Sequence, residues 1–500
     1  MIGDAGGPWR AAEQQVAGRR YCFRDGGSAP PPDPPEGVAV TFDLNRLLEE
    51  RSGERVRLHE EHMNARLAQV LRTIGFDREW VAGRGCYLYD AQGREYLDFL
   101  SGFGVYALGR SHPVLKKALQ DALAADLANL VQMDCGLLPG LLAEAIVARC
   151  HPGIRRAFFC NSGTEAVEGA IKFSRRATGR DRILYCDHAF HGLSTGALAL
   201  NGGKEFRSGF GPLLPGCEAV PLGDLAALER QLAAGDVAAF VFEPIQGKGV
   251  YEAGAEYWTA AEAACRRHGT LVVADEVQTG LGRTGRLFCH EHWGLRPDVV
   301  TVSKALSGGY VPVGAVLTTD AVWKRVFRSM DAALVHSSTF GSNALAMVAG
   351  LATLQVIDDE DLVDRARRTG DLFAKALRPL VDRYEMLVDV RGKGLMIGLE
   401  LGRPESRSLR LRWDALERVR TAMFSQLVVV PLFDRHRILT QVAADGVNIV
   451  KLLPPLVAGE DEVDMFVAAF EDVMEEVHKG MGLYMDVGWT MARGLLKRSR

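Results

Sequence analysis

A lysine that follows a short apolar run is the first candidate for chemistry in this sequence. The run from Val299 to Ser303 is rich in β-branched residues, which predicts a buried strand, and Lys304 comes directly after it. Burial lowers the pKa of a lysine amine, and a partly neutral amine can form a Schiff base with a carbonyl group. The alternative is a lysine whose stem is covered while its ammonium reaches solvent.

Two carboxylates also stand where predicted strands end. Asp275 closes the apolar run that begins at Leu271, and Glu243 closes the run that begins at Ala238. A buried carboxylate is costly unless it is paired or hydrogen-bonded. The protonated nitrogen of a bound pyridine ring would provide that pairing for Asp275. The alternative is a carboxylate that caps the turn after its strand.

The residues Ser162, Gly163 and Thr164 stand between a predicted strand and a predicted helix. At the N-terminus of a helix, free N–H groups and the positive end of the dipole favour a phosphate. The alternative is an ordinary helix cap in which Glu165 occupies the first turn. The pattern around this helix start leaves both interpretations open.

Phe190 and His191 follow the next predicted strand. An aromatic ring in such a loop can stack on a planar ligand, although a single phenylalanine also suits a hydrophobic core. A phosphate site, a stacking ring, a carboxylate for a ring nitrogen and an amine for a Schiff base are together what a pyridoxal phosphate (PLP) enzyme needs. The combination therefore favours PLP chemistry more than any one of these residues does alone.

The elements that must position these residues alternate between short apolar runs and amphipathic helices. This alternation predicts an α/β fold with a mostly parallel sheet wrapped by helices. Ligands bind beyond the carboxyl ends of the strands in such sheets, which is where the candidate residues stand. The predicted strands are Ala157–Cys160, Arg182–Asp187, Ala238–Glu243, Leu271–Asp275, Val299–Ser303 and Val313–Thr318.

The remaining sequence predicts a second, smaller α+β domain built from N- and C-terminal parts. Its C-terminal strands are predicted at Leu387–Val390, Leu395–Leu401, Gln426–Pro431 and Val447–Leu453, and a hairpin at Tyr87–Asp98. We divide the chain into a disordered Pro/Gly-rich segment (1–40), a helical extension (41–79), the N-terminal part of the small domain (80–112), the large PLP-binding domain (113–345), the C-terminal part of the small domain (346–480) and a basic tail (481–500).

The composition limits the class of protein. The chain has 500 residues, 47% hydrophobic and 24% charged, with a net charge of −4, so we expect a globular protein that does not bind nucleic acid. No apolar run predicts a membrane span. The nine cysteines show no CxxC spacing, which favours reduced thiols in the cytoplasm and predicts no metal site.

Several motifs, in this order along the chain, resemble the class III aminotransferases of fold type I. These include the ornithine, acetylornithine, γ-aminobutyrate and putrescine aminotransferases, and the resemblance covers about residues 80–475. The motifs are Ser162-Gly-Thr-Glu165, His188-Ala-Phe-His-Gly192, Glu243-Pro-Ile-Gln-Gly247, Asp275-Glu-Val-Gln-Thr-Gly280, Ser303-Lys-Ala-Leu-Ser-Gly-Gly309, Ser338-Thr-Phe-Gly341 and Val390-Arg-Gly-Lys-Gly-Leu395.

The resemblance implies PLP as cofactor and a homodimer. It makes Lys304 the lysine that holds the cofactor and shuttles a proton, and Asp275 the carboxylate that keeps the ring nitrogen protonated. Thr339 would bind the phosphate held by the other subunit, and Gln278 would contact the phenolic oxygen. The implied cofactor-binding residues are Ser162, Gly163, Thr164, Phe190, His191, Glu243, Asp275, Gln278, Lys304 and Thr339.

The resemblance also implies that Arg391 binds the carboxylate of the substrate, although a surface turn is the alternative. One position departs from the family pattern. Many relatives have a glutamate two residues after Gln246 that pairs with this arginine, but here the residue is Lys248. We expect either that Arg391 is screened in another way or that Lys248 points elsewhere or meets an acidic substrate or the partner chain. Arg435 to Arg437 and Lys451 to Pro455 either line the substrate entrance or form a solvated loop and a domain strand.

The leading hypothesis is a ping-pong aminotransferase. It would move an amino group between an amino acid, glutamate or alanine, and an aldehyde, ketone or terminal amine, in specialised-metabolite biosynthesis. The alternatives are an aminomutase, racemase or decarboxylase on the same fold, or a non-catalytic PLP-binding regulator. The presence of Lys304 argues against the regulator.

Overall fold

The computed structural model describes residues 42–419, 423–444, 446–480 and 482–488. The predicted disordered segment 1–40, and most of the predicted tail 481–500, lie outside these residues. The chain divides into two units, 1–66 and 67–500. In the described part of the first unit, Asp43 caps the first helix by accepting a hydrogen bond from the Arg46 N–H at 3.0 Å.

The strands of the described residues, in chain order, are β1 (Trp80–Arg84), β2 (Tyr87–Asp90), β3 (Glu95–Asp98), β4 (Ile154–Cys160), β5 (Arg182–Cys186), β6 (Cys217–Val220), β7 (Val237–Phe242), β8 (Leu271–Asp275), β9 (Val299–Val302), β10 (Gly314–Thr319), β11 (Leu387–Lys393), β12 (Met396–Leu401), β13 (Ile438–Leu439), β14 (Gln441–Val442) and β15 (Ile449–Leu452).

The α-helices are α1 (Leu44–Arg51), α2 (Arg55–His62), α3 (Ala65–Thr73), α4 (Ser101–Gly104), α5 (Pro113–Ala124), α6 (Leu137–Val147), α7 (Gly163–Thr178), α8 (Thr195–Ala199), α9 (Lys204–Arg207), α10 (Leu225–Leu232), α11 (Ala255–Arg267), α12 (Asp320–Val326), α13 (Ala344–Asp359), α14 (Leu362–Leu377), α15 (Leu380–Arg383), α16 (Arg407–Val419), α17 (Gln426–Asp434) and α18 (Glu460–Lys479). Short 3-10 helices lie at Ser52–Glu54, Cys289–Trp293, Lys304–Ser307 and Met330–Ala332.

The central sheet has the strand order β4-β10-β9-β8-β7-β5-β6. Strands β9, β8, β7, β5 and β6 pair in parallel, while β10 is antiparallel to both β4 and β9. Apolar residues of α7 pack on one face, and those of α10 and α11 pack on the other. The predicted α/β fold with a mostly parallel sheet is therefore confirmed, and the carboxyl ends of β4, β5, β7, β8 and β9 meet at one edge.

Two smaller sheets combine both ends of the second unit. Their strand orders are β1-β2-β3-β13 and β11-β12-β15-β14. The predicted hairpin is formed by β2 and β3. Strand β13 pairs in parallel with β3, with Ile438 opposite Leu97, so residues far apart in the sequence share one sheet. The division into domains stays a prediction.

One predicted strand is wrong. Residues Gln426 to Pro431 begin the helix α17, in which Leu427 to Phe433 are all buried. A short, continuous apolar run suits a buried helix as well as a buried strand, because neither leaves a polar face to show the period. Among the described residues, no helix is long and apolar enough to cross a membrane.

Candidate active site

A cavity of about 1020 Å³ opens beyond the carboxyl ends of the central strands. Volumes of this size are typical of large small-molecule sites. Eight of the ten implied cofactor-binding residues line this one cavity: Gly163, Thr164, Phe190, His191, Glu243, Asp275, Gln278 and Lys304. The loops after β4, β5, β7, β8 and β9 each contribute at least one of them.

Lys304 begins the 3-10 helix that follows β9. Its backbone φ of 36° is uncommon for a residue other than glycine, and such conformations concentrate at functional sites. Its amine has no hydrogen-bond partner among the residues that the structure describes, and it lines the cavity. Burial lowers the pKa of Lys304, while the negative charges of Asp275 and Glu243 act in the opposite direction. A weakly basic, unpaired amine is well suited to attack a carbonyl group.

Asp275, the last residue of β8, is only 4% exposed and is held on both oxygens. Thr301 Oγ1 donates to Oδ1 at 3.0 Å, and the Val277 N–H donates to the same oxygen at 3.1 Å. His191 Nδ1 lies 2.7 Å from Oδ2. Burial lowers the pKa of His191, but the hydrogen bond and the charge of Asp275 outweigh this effect and raise the pKa. Asp275 is therefore fixed by hydrogen bonds on both oxygens where it lines the cavity.

Glu243 connects two loops of the site. Its Oε1 accepts a hydrogen bond from the Phe190 N–H at 2.9 Å, and its Oε2 accepts one from the Gly247 N–H at 2.6 Å. Burial raises the pKa of Glu243. The Phe190 ring, positioned in this way, packs edge-on against Phe206 with ring centroids 5.4 Å apart. Glu243 thus acts by positioning the ring that the sequence predicted to stack on a ligand.

The start of α7 lies at the other end of the cavity. Ser162 caps this helix by accepting the Glu165 N–H at 3.3 Å, but it does not line the cavity itself. A side chain at Gly163 would collide with Val277, so only glycine allows α7 to begin this close to the end of β8. Gly163 and Thr164, the first residues of α7, line the cavity, and the start of a helix favours an anion.

Two residues that the sequence did not single out hold Thr164 in place. The Thr164 hydroxyl lies 2.6 Å from Ser194 Oγ and accepts the Ser194 N–H at 3.0 Å. Ser194 Oγ in turn donates to Glu168 at 2.6 Å. Glu168 also accepts the N–H groups of Gly196 and Ala197, which begin α8. The only sequence signal was the spacing of Glu168, one helical turn after Thr164.

A second lysine lines the cavity, in the segment Lys451 to Pro455 for which the sequence left open a substrate entrance or a domain strand. Lys451 in β15 is 2% exposed. It donates to Gln278 Oε1 at 2.5 Å and to the Gly247 carbonyl. Gln278 Nε2 donates to the Phe103 carbonyl at 3.0 Å, so the amide is held at both ends. Burial lowers the pKa of Lys451 to about 7, and the charge of Lys304 acts in the same direction.

The structure does not bring Arg391 to the cavity. The guanidinium donates to the carbonyls of Gly249 and Val250, and it pairs with Asp389 at 2.7 Å and with Glu400. Two carboxylates therefore neutralise Arg391 without the glutamate that relatives have at position 248. Its role in substrate binding stays a prediction.

Lys248 points away from Arg391, to one side of the cavity. Its ammonium pairs with Glu205 Oε1 at 2.7 Å and lies 3.8 Å from the centroid of the Phe206 ring. Two other predicted elements do not line the cavity. Thr339 is exposed, and Arg435 pairs with Glu476 and Asp486 on the surface.

These residues fit PLP group by group. The N-terminus of α7 suits the phosphate, the Asp275 carboxylate suits a protonated ring nitrogen, and the Lys304 amine suits the aldehyde. The Phe190 ring suits stacking on the face of the pyridine ring, and the Gln278 amide suits a contact with the phenolic oxygen. When bound, PLP supplies an electron sink.

Comparisons with known proteins agree with this fit. The profile of the family Aminotransferase class-III matches residues 76–474. Aminotransferase PigE of Serratia sp. is 32% identical over 495 residues, which cover 92% of this chain but 58% of PigE, less than two thirds of its length. Acetylornithine aminotransferase of Gloeobacter violaceus is 38% identical over 423 residues, which cover 83% of this chain and 95% of that protein.

A solved structure of the ornithine aminotransferase of Toxoplasma gondii, in which PLP partly occupies the active site, is also similar. Its TM-score is 0.72 with 30% identity, over 80% of this chain and 92% of that one. The family match and these likenesses converge on the same fold and the same cofactor. The chain belongs to the class III aminotransferase family, whose members are PLP-dependent.

Proposed function

We propose that this protein transfers an amino group, by a ping-pong mechanism, between an amino acid and an aldehyde, ketone or terminal amine. Glutamate and alanine are the proposed amino acids. The observation that carries this proposal is the common cavity in which the unpaired Lys304 amine, the Asp275 carboxylate and the start of α7 meet. The alternatives of racemisation, decarboxylation and aminomutation are not favoured by the comparisons.

Each residue has a distinct task in this reaction. The Lys304 amine holds the cofactor and, once displaced by the substrate, removes the proton from the substrate Cα. Asp275, supported by His191, keeps a positive charge on the ring nitrogen, which favours withdrawal of electrons from that carbon. Glu243 and Ser194 keep Phe190 and Thr164 in place.

The test is a half-reaction. Glutamate or alanine, added to the holoenzyme without any oxo acid, should convert the bound cofactor to pyridoxamine phosphate and release one equivalent of oxo acid. The reaction should then stop until an acceptor is added. Absorbance spectra and chromatography of the released cofactor measure this directly. Continuous turnover of the amino acid without an acceptor would contradict the proposal, because a racemase or decarboxylase regenerates its starting form.

We propose further that Lys451 meets the carboxylate of the amino-acid donor. Besides Lys304, which is proposed to hold the cofactor, Lys451 is the cavity lysine without an ion pair among the described residues. An ammonium has three donors, and Lys451 uses two of them here. This assignment takes the task that the sequence resemblance gave to Arg391.

The pH dependence of donor binding tests the assignment. Lys451 is charged below its pKa of about 7 and neutral above it. The KM for glutamate should therefore rise as the pH increases through about 7, by roughly tenfold, because a charged hydrogen bond is lost. Lys451→Arg stays charged at every pH and should lose this rise, whereas Lys451→Met should show a high KM throughout. An unchanged KM in Lys451→Met would contradict the role.

A homodimer is also part of the proposal. Thr339 and Phe340 are exposed and lie outside the cavity of their own chain, which suits a loop that reaches a second copy. Asn161 Nδ2 donates to Ser338 Oγ at 3.0 Å and holds the start of this loop. Sedimentation of the holoenzyme should give a dimer, and a monomer with full activity would contradict it.

The proposed location is the cytoplasm, and the proposed process is specialised-metabolite biosynthesis. The eight cysteines of the described residues are free thiols, which supports a reducing compartment. The process rests on the sequence resemblance alone. Metabolite profiles of a deletion strain would test it, and an unchanged profile would contradict it.

A further inference from the structure

A wall of the cavity comes from outside the family domain. The family profile begins at residue 76, but Val70, Thr73 and Ile74 also line the cavity. Val70 and Thr73 lie in the part of α3 that belongs to the second unit, and Ile74 follows directly. Ile74 is also packed against the main hydrophobic core, so this wall is anchored to the family domain.

Val70 and Ile74 are the apolar part of this wall, beside the polar Gln69 and Thr73, and other apolar residues extend that apolar part. Phe206 of α9, Val442 of β14 and Met423 line the same cavity. Val70 is 53% exposed although it is apolar. Apolar surface that lines a cavity provides binding free energy to a ligand that covers it.

The charged residues that line the cavity also bear on which substrate it accepts. Its lysines are Lys248, Lys304 and Lys451, and its carboxylates are Glu243 and Asp275. Asp275 is paired with His191, and both oxygens of Glu243 accept backbone hydrogen bonds. Among the described residues that line the cavity, no carboxylate is therefore available for a second ammonium group. A relative with glutamate at position 248 would offer one, but here the residue is Lys248, whose ammonium pairs with Glu205.

We infer that the amine or carbonyl substrate has an apolar body without a second ammonium group, and that Val70 and Ile74 form part of the surface that recognises it. The inference rests on the proposed function of the cavity. According to this inference, the chain catalyses the same kind of reaction as the ornithine and acetylornithine aminotransferases to which it is similar. It differs from them in the substrate that it accepts.

The experiment compares two amines, hexylamine and 1,5-diaminopentane, which have the same number of non-hydrogen atoms. Hexylamine ends in a methyl group where 1,5-diaminopentane carries a second amine. Each amine is added to the holoenzyme as the amino donor, and its kcat/KM is measured with pyruvate as the amino acceptor. We expect kcat/KM for hexylamine to exceed that for 1,5-diaminopentane by at least about tenfold. The second ammonium group of the diamine would lose its hydration on binding and find no carboxylate in return.

A matched pair of variants locates the effect. Val70→Asp places a carboxylate in the wall and should move the ratio of the two kcat/KM values several-fold towards 1,5-diaminopentane. Val81→Asp makes the same change at a valine that is 62% exposed on β1 and does not line the cavity, and it should leave the ratio unchanged. Ile74→Ala removes apolar surface and should lower kcat/KM for hexylamine by about threefold or more.

The outcomes separate this inference from the function on which it rests. Equal use of both amines, or the same ratio in Val70→Asp and Val81→Asp, would overturn the inference. So would a holoenzyme that reacts with glutamate but with neither amine. A holoenzyme that reacts with no amino donor at all would instead overturn the proposed function.

Discussion

Replacing Lys304 with alanine is expected to abolish transamination. The amine of Lys304 is the unpaired, weakly basic group at the end of β9, and alanine can neither hold the cofactor covalently nor move the proton of the substrate Cα. The loss of the proton transfer alone corresponds to about 10²- to 10⁴-fold in rate. The absorbance band of the covalently attached cofactor should disappear, although PLP should still bind through Thr164 and Phe190.

The stability of this variant provides the control. Burial disfavours the charged form of Lys304, and its amine makes no hydrogen bond with a described residue, so removing it should not destabilise the fold. We expect the apo variant to unfold at a temperature no lower than the wild-type apo protein. Inactivity together with a wild-type melting curve would thus identify a chemical role. A variant that kept the absorbance band would show that another amine holds the cofactor.

Replacing Asp275 with asparagine is expected to have the next largest effect. The change keeps the shape of the side chain but removes the charge that faces both His191 and the ring nitrogen. Removing one partner of a buried pair costs about 3–5 kcal/mol, which corresponds to roughly 10²- to 10⁴-fold in rate if the loss appears in the transition state. Steady-state kcat/KM of the fully loaded variant measures this loss.

Two comparisons show whether the loss is electrostatic. Asp298→Asn changes a carboxylate that accepts the Val272 N–H at 2.9 Å and lies outside the cavity, so it should retain activity. The pKa of His191, raised by Asp275 in the wild type, should fall in Asp275→Asn because its hydrogen-bond and charge partner is lost. An NMR titration of His191 measures that fall. Equal activity losses in both variants would indicate general destabilisation instead.

The positions of the candidate catalytic groups followed largely from sequence patterns. Each candidate stood where an apolar run ended, and the carboxyl ends of parallel strands meet at one edge of a sheet. Asp275 ends β8 and Lys304 follows β9, and consecutive strands of a chain are usually neighbours in a sheet, so their proximity was predictable from the order of the apolar runs. The antiparallel direction of β10 was not predictable in this way, because an apolar run carries no sign of its direction.

Other parts of the site depended on long-range contacts. Lys451 reaches Gln278 although 173 positions separate them, and in the sequence it is one polar residue within an apolar strand. Arg391 lies in a motif that implied a substrate contact. In the structure its guanidinium instead donates hydrogen bonds to Glu400 on the neighbouring strand β12 and to the Gly249 carbonyl. Lys248 was recognised as a departure from the family, yet its partner Glu205 could not be deduced.

The sequence by itself determined the fold class, the cofactor and the principal amine and carboxylate, because these depend on local periodicity and on motifs in a given order. The tertiary structure alone decided which cations line the cavity and which apolar residues lie beside them. Charges on separate elements are neutralised or left available only by folding, as Arg391 and Lys451 illustrate. The same holds for α3, whose Val70 becomes part of the cavity lining only once the folded chain places it there.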